Sequence, residues 1–76
     1  MPTNKDLGRA IRRMRQAQHL TIKALALEGG ISPRHLGVIE RGYGNPRLET
    51  LLGLADALGV TLGQLMRIAE AEGHRA

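Results

Sequence analysis

Residues 20–42 read Leu20-Thr21-Ile22-Lys23-Ala24-Leu25-Ala26-Leu27-Glu28-Gly29-Gly30-Ile31-Ser32-Pro33-Arg34-His35-Leu36-Gly37-Val38-Ile39-Glu40-Arg41-Gly42. Their punctuation divides them into two short helices. Thr21 is an N-cap, a hydroxyl able to accept from the unsatisfied amides of a first turn. It opens a helix over 22–28 with Ala24, Leu25 and Ala26 on its inner side. Gly29-Gly30 stops that helix, because glycine readily takes the left-handed conformation that turns a chain. Ser32-Pro33 then starts a second one, an N-cap followed by the residue that best tolerates the first helical position. This helix covers 33–41 and closes at Gly42. Leu36 and Ile39, three apart, share its buried face, and Arg34, His35, Gly37 and Val38 point elsewhere.

The same signals recur on both sides. Leu7, Ala10, Ile11, Met14 and Ala17 recur at three- and four-residue steps and predict a helix over 5–18, capped by Thr3 or Asn4. His19 stands at its end, where glycine is usual. After the loop Tyr43-Gly44-Asn45-Pro46, a fourth helix over 47–58 is expected to bury Leu48, Leu51, Leu52, Ala55 and Leu58, with Gly59 ending it. Thr61 caps a fifth over 62–72, carrying Leu62, Leu65, Met66 and Ala69, before Gly73-His74-Arg75-Ala76 frays. Strand signals are absent. The expectation is an all-α, compact five-helix domain occupying 1–76 as a single unit.

Composition narrows the function. A chain of 76 residues hides only about 60% of its unfolded surface, so its stability is marginal. It has no cysteine for a cross-link, and Tyr43 is its single aromatic residue. Hydrophobic residues still make up 42% of it, and the twelve leucines among them suit packed helices better than a sheet. No apolar run approaches the roughly 18 residues of a membrane span, and Met1–Asp6 lack a secretory apolar region. With the absence of cysteine, this fits a cytoplasmic protein. Catalysis has little to work with: Ser32 is the only serine, and Asp6 and Asp56 are far apart in sequence. His19, His35 and His74 show no ligand spacing, so neither a metal nor a cofactor is expected.

Charge is unevenly placed. Residues 1–47 hold nine basic and three acidic side chains, a net +6, whereas residues 48–76 hold two and four, a net −2. Nine of the eleven bases are arginine, the side chain that grips phosphates and guanine edges in bidentate fashion. A basic front suggests a polyanionic partner, against the plainer reading of a solvated surface.

Two short helices joined by a glycine turn, inside a small basic bundle, form a helix-turn-helix over 21–41. In that motif the first helix crosses the DNA backbone and the second presents its N-terminal side chains to base edges in the major groove. The chain resembles the lambda-repressor/Cro, Xre-like family of regulators. The resemblance rests on Leu20-Thr21, Leu25-Ala26, Gly30-Ile31-Ser32, Leu36, Ile39-Glu40-Arg41-Gly42, Asn45-Pro46, Leu48-Glu49-Thr50-Leu51 and Ala55-Asp56-Ala57-Leu58-Gly59-Val60. It covers roughly residues 6–68, and the short length is also similar to restriction-modification controller proteins.

Roles follow residue by residue. Ser32 and Pro33 set the register of the 33–41 helix, whose first amides can also donate to phosphate. Arg34 can reach guanine O6 and N7 or a phosphate, and His35 can do either more weakly. Gly37 permits close approach to the groove, or is simply a helix-weakening glycine costing about 1 kcal/mol relative to alanine. Val38 is placed to touch a thymine methyl or to be partly buried. The resemblance implies backbone contacts from Lys23, Arg41, Tyr43, Asn45 and Arg47, although Lys23 and Arg47 also read as solvated charges and Tyr43 as a loop cover. Two positions depart from the family pattern. Ile22 and Pro33 stand where polar glutamines are usual, so base preference does not transfer and DNA shape gains weight. Arg15 and Glu40 match a family pair that locks the first helix to the recognition helix, which gives Arg15 a structural role against the other reading of it as a phosphate contact.

Sequence-specific binding normally needs two copies, with recognition helices about 34 Å apart. A homodimer on a palindromic operator is therefore expected, with Leu54, Leu65, Met66 and Ile68 as its apolar contact. The partners expected are double-stranded DNA and a second copy, with no membrane and no small-molecule effector. The leading expectation is a transcriptional regulator. The alternative is an antitoxin-like module whose main partner is another protein.

Overall fold

The computed structural model describes residues 1–75, and its elements are α1 (Asn4–Ala17), α2 (Ile22–Gly29), α3 (Pro33–Glu40), α4 (Leu48–Ala57) and α5 (Leu62–Gly73). Side-chain hydroxyls begin four of them. Thr3 Oγ1 accepts from Asp6 N at 3.1 Å while Asp6 Oδ2 accepts from Thr3 N at 3.0 Å, a reciprocal capping box. Thr61 and Gln64 build the same box at α5. Thr21 and Ser32 cap α2 and α3 through Ala24 N and His35 N, each at 3.0 Å. Arg47, at the start of α4, makes no such bond. The ends are as physical as the starts: Gly30 sits at φ 75°, and His19, at φ 58°, takes the same left-handed turn after α1 without glycine's freedom.

One large aliphatic side chain from each helix meets in the centre: Ile11, Leu25, Leu36, Leu54 and Leu65 are all fully buried. Helix α1 packs against α5 and α3, α2 against α3 and α4, and α4 against α5. The body measures 30 × 23 × 20 Å. Helices α4 and α5 meet at 92°, and among the described residues no single helix is long and apolar enough to cross a membrane.

Helix α4 departs from the sequence expectation. Leu48 and Leu52 were expected inside, yet they are 63% and 48% exposed, while Leu54 is completely buried. The cause is a close crossing with α2. A Cβ on Gly53 would lie 2.8 Å from Gly29 O, and one on Gly29 would lie 2.8 Å from Leu54 Cδ2. Only two glycines allow the backbones so near each other, and that contact turns Gly53 and Leu54 toward the core. Two residues of the expected dimer contact are corrected: Leu54 and Leu65 are fully buried within one chain and offer nothing to a second copy, whereas Met66 and Ile68 pack against the core and keep part of their surface exposed.

Candidate nucleic-acid interface

The surface of interest is assembled on α3. Its inner side, Leu36, Ile39 and Glu40, is buried. Ser32, Pro33, Arg34 and His35 at its start and Arg41 at its end are exposed. Arg34 and Arg41 are seven residues apart on the outer edge, about 10 Å along the axis. Neither meets a carboxylate among the described residues. Two guanidinium groups without a carboxylate partner on one helix edge favour an anion there.

Gly37 lies between them and is buried, although the sequence reading left it open to the groove. What covers it is Arg41: a Cβ at position 37 would lie 3.3 Å from Arg41 Nη1. The missing side chain makes room for the guanidinium to lie back along α3. Val38 is half-buried, with Cγ1 3.8 Å from where a Gly44 Cβ would stand.

Further exposed residues lie in the flanking segments. Lys23 is exposed in the first turn of α2. Tyr43, 63% exposed, follows the turn at Gly42. Among the described residues Arg47 meets only Glu49, at 3.7 Å, and with both side chains about four-fifths exposed (83% and 79%) that pair costs little to break. Asn45 is exposed but already occupied in part. Asn4 Nδ2 donates to Asn45 Oδ1 at 3.0 Å and to Gly44 O at 2.7 Å, pinning the loop to the start of α1. The sequence reading missed Asn4, and no local signal could have found a bond that spans forty positions.

Beneath the surface, an ion pair fixes the angle of α3. Arg15 Nε donates to Glu40 Oε2 at 2.7 Å and Arg15 Nη2 to Glu40 Oε1 at 3.0 Å, a two-pronged contact. Arg15 Nη1 donates to Leu20 O at 2.9 Å, so one guanidinium ties α1, the residue before the Thr21 cap, and the end of α3. The hydrogen bond to Glu40 raises the Arg15 pKa above its ordinary value, against the opposing effect of burial. Close approach makes the reach possible: a side chain at Gly8 would collide with the carbonyl oxygens of Ile39 and Glu40.

The turn-linked pair α2 and α3, the second with an exposed basic edge, falls within the region that matches a known family. The family model described as helix-turn-helix matches residues 11–65, most of the chain. The chain belongs to the Xre-like helix-turn-helix family. Among helix-turn-helix relatives, it is 40% identical over 65 residues to the HTH-type transcriptional regulator DdrOP3 of Deinococcus deserti, covering 86% of this chain and 50% of that one. The chain thus spans half the length of that relative. It is 36% identical over 66 residues to the uncharacterized HTH-type transcriptional regulator y4dJ of Sinorhizobium fredii, covering 87% and 86%. Solved helix-turn-helix structures share the arrangement. The clp gene regulator ClgR of Corynebacterium glutamicum superposes with a TM-score of 0.84 at 30% identity, covering 96% of this chain and 92% of that one. The restriction-modification controller protein C.AhdI of Aeromonas hydrophila gives 0.79 at 32%, covering 82% and 94%. The biofilm master regulator SinR, solved in complex with DNA, gives 0.73 at 26%, covering 79% and 97%.

Proposed function

We propose that this helix-turn-helix chain is a sequence-specific DNA-binding regulator of transcription that acts as a homodimer on a palindromic operator. The observation that carries it is the outer edge of α3: Arg34 and Arg41 are exposed and, among the described residues, have no carboxylate partner, while Arg15 and Glu40 clamp the helix from behind. In this reading α3 lies in the major groove, with Arg34 on a guanine edge and His35 beside it. Ser32 and Pro33 set its entry, and Arg41 lies back over Gly37 toward the backbone. Lys23, Tyr43, Asn45 and Arg47 meet phosphates on either side. Val38 supports the loop from beneath.

The test is selection of duplexes from random-sequence DNA, followed by titration of the recovered site across salt concentrations. A palindrome whose log K falls steeply and linearly with log salt is the expected result. A partner surface on another protein would respond weakly to salt, and failure to recover any enriched site would count against the whole reading. For the second copy, exposed Leu48 and Leu52, one turn apart on α4, supply the apolar surface that Leu54 and Leu65 do not. Leu52→Glu is expected to shift sedimentation equilibrium from dimer to monomer with the melting curve little changed. An unaltered dimer would place the interface elsewhere.

A further inference from the structure

The outer edge of α1 carries charge that the α3 surface does not use. Lys5, Arg9, Arg12 and Gln16 follow one another at steps of four, three and four residues, and all four are exposed. At the helical rise, that line runs about 16 Å. Among the described residues, Arg9, Arg12, Arg13 and Gln16 line a shallow hollow on this edge without a carboxylate, and the adjoining hollow that shares Arg9 and Arg13 holds Glu72.

The neighbouring acids do not balance the row. Glu72, whose side chain is 3% exposed, is shared by Arg13 at 2.9 Å and Arg75 at 3.4 Å. Asp6 Oδ2 accepts from the Thr3 amide of the α1 cap, and its other oxygen, Oδ1, meets Arg9 at 3.6 Å across a contact whose arginine side is about half exposed. Among the described residues, Lys5 and Arg12 meet no acidic side chain at all. Like charges three and four positions apart weaken a helix. Lys5 with Arg9, Arg9 with Arg12, and Arg9 with Arg13 are three such pairs, and they do nothing for the core. An external polyanion would turn this repulsion into attraction.

The row also starts where the α3 surface ends. A Cβ on Gly42 would lie 2.9 Å from Lys5 Cα, so Lys5 packs against the turn that follows Arg41. Asn4 holds the Gly44–Asn45 loop beside it. The basic edge of α1 is thus a continuation of the loop that faces the backbone in the reading above.

We propose that this edge of α1 is a second phosphate-binding surface, occupied by the backbone of the same duplex just outside the site read by α3. The inference rests on the DNA-binding reading and lengthens it. A regular row of cations suits a regularly charged strand, and contacts there would offset the cost of bending the flank toward the protein. The row would then set how much flanking DNA the protein engages, independently of which bases α3 reads.

The experiment compares wild type with Arg9→Gln/Arg12→Gln on the selected site in two duplexes, one trimmed to the site and one extended on both sides by about a helical turn. Wild type is expected to bind the long duplex with a salt slope steeper by about two, from two additional phosphates, and about tenfold more tightly at low salt. The double variant is expected to lose both differences, bind the short duplex like wild type, and melt no lower than wild type. Equal binding of variant and wild type to the long duplex would overturn the proposal. So would equal weakening on both duplexes, because the arginines would then act through the general field or the fold. Absence of binding by wild type to either duplex would overturn the DNA reading itself, and this inference with it.

Discussion

Replacing Glu40 with alanine should damage the fold far more than replacing the exposed Arg34. The Glu40 side chain is 4% exposed and takes two bonds from Arg15, whose own side chain is 11% exposed. Truncation leaves a nearly buried guanidinium with only the bond to Leu20 O. Removing one partner of a buried pair costs about 3–5 kcal/mol, and the retained bond to Leu20 places this case near the lower end, about 3 kcal/mol. A domain of this length has a total stability of about 4–11 kcal/mol, so the loss is a large share of it. At roughly 4–8 °C per kcal/mol for a small domain, melting should fall by about 12–24 °C. Arg34→Ala, with no partner to strand, should shift stability by no more than about 0.5 kcal/mol. It should still weaken DNA binding by about 1–3 kcal/mol. Thermal melts followed by circular dichroism separate the two, and Arg15→Met/Glu40→Leu should recover much of the loss because it buries no unpaired charge. Coincident melting curves for Glu40→Ala and Arg34→Ala would refute the clamp.

Three further outcomes are expected. Gly37→Ala should raise stability by about 0.5–1 kcal/mol through helix propensity, yet weaken DNA binding by displacing the Arg41 guanidinium, which would sit 3.3 Å from the new methyl group. A gain in both properties would remove the seat assigned to Arg41. Gly53→Ala should destabilise by about 1–3 kcal/mol, since the added carbon would lie 2.8 Å from Gly29 O; a neutral melt would show that α2 and α4 can part freely. The hydrogen bond from the Thr3 backbone amide holds the Asp6 pKa below its ordinary 3.8, with burial opposing and Arg9 assisting. A depressed carboxylate stabilises the fold above its unfolded value and loses that contribution as pH drops through the folded one. Melting temperature should therefore decline below about pH 4 in wild type and less steeply in Asp6→Asn, and parallel declines would exclude Asp6 as a source.

How much of this was legible in the chain depends on the range of the interaction. Thr21, Ser32 and Thr61 act on amides three residues ahead, so helix starts can be read directly, and the expected bounds fall within two residues of those observed. His19 as a left-handed stop, the exposed Ser32–His35 edge and the basic front are local facts of the same kind. Everything requiring two distant segments lay beyond that reach. Asn4 holds the loop forty residues away, and Arg13 finds Glu72 across fifty-nine. On α4, Leu48, Leu51, Leu52, Ala55 and Leu58 and the set Leu51, Leu54, Ala55 and Leu58 are both valid helical stripes. A period of 3.6 cannot choose between them. The choice fell to the near contact of Gly53 with the Gly29 carbonyl, a steric fact that exists only once α2 and α4 cross. Local capping and charge thus settled which segments are helical and which face is basic. Packing settled which leucines remain on the surface, because burial depends on what lies opposite.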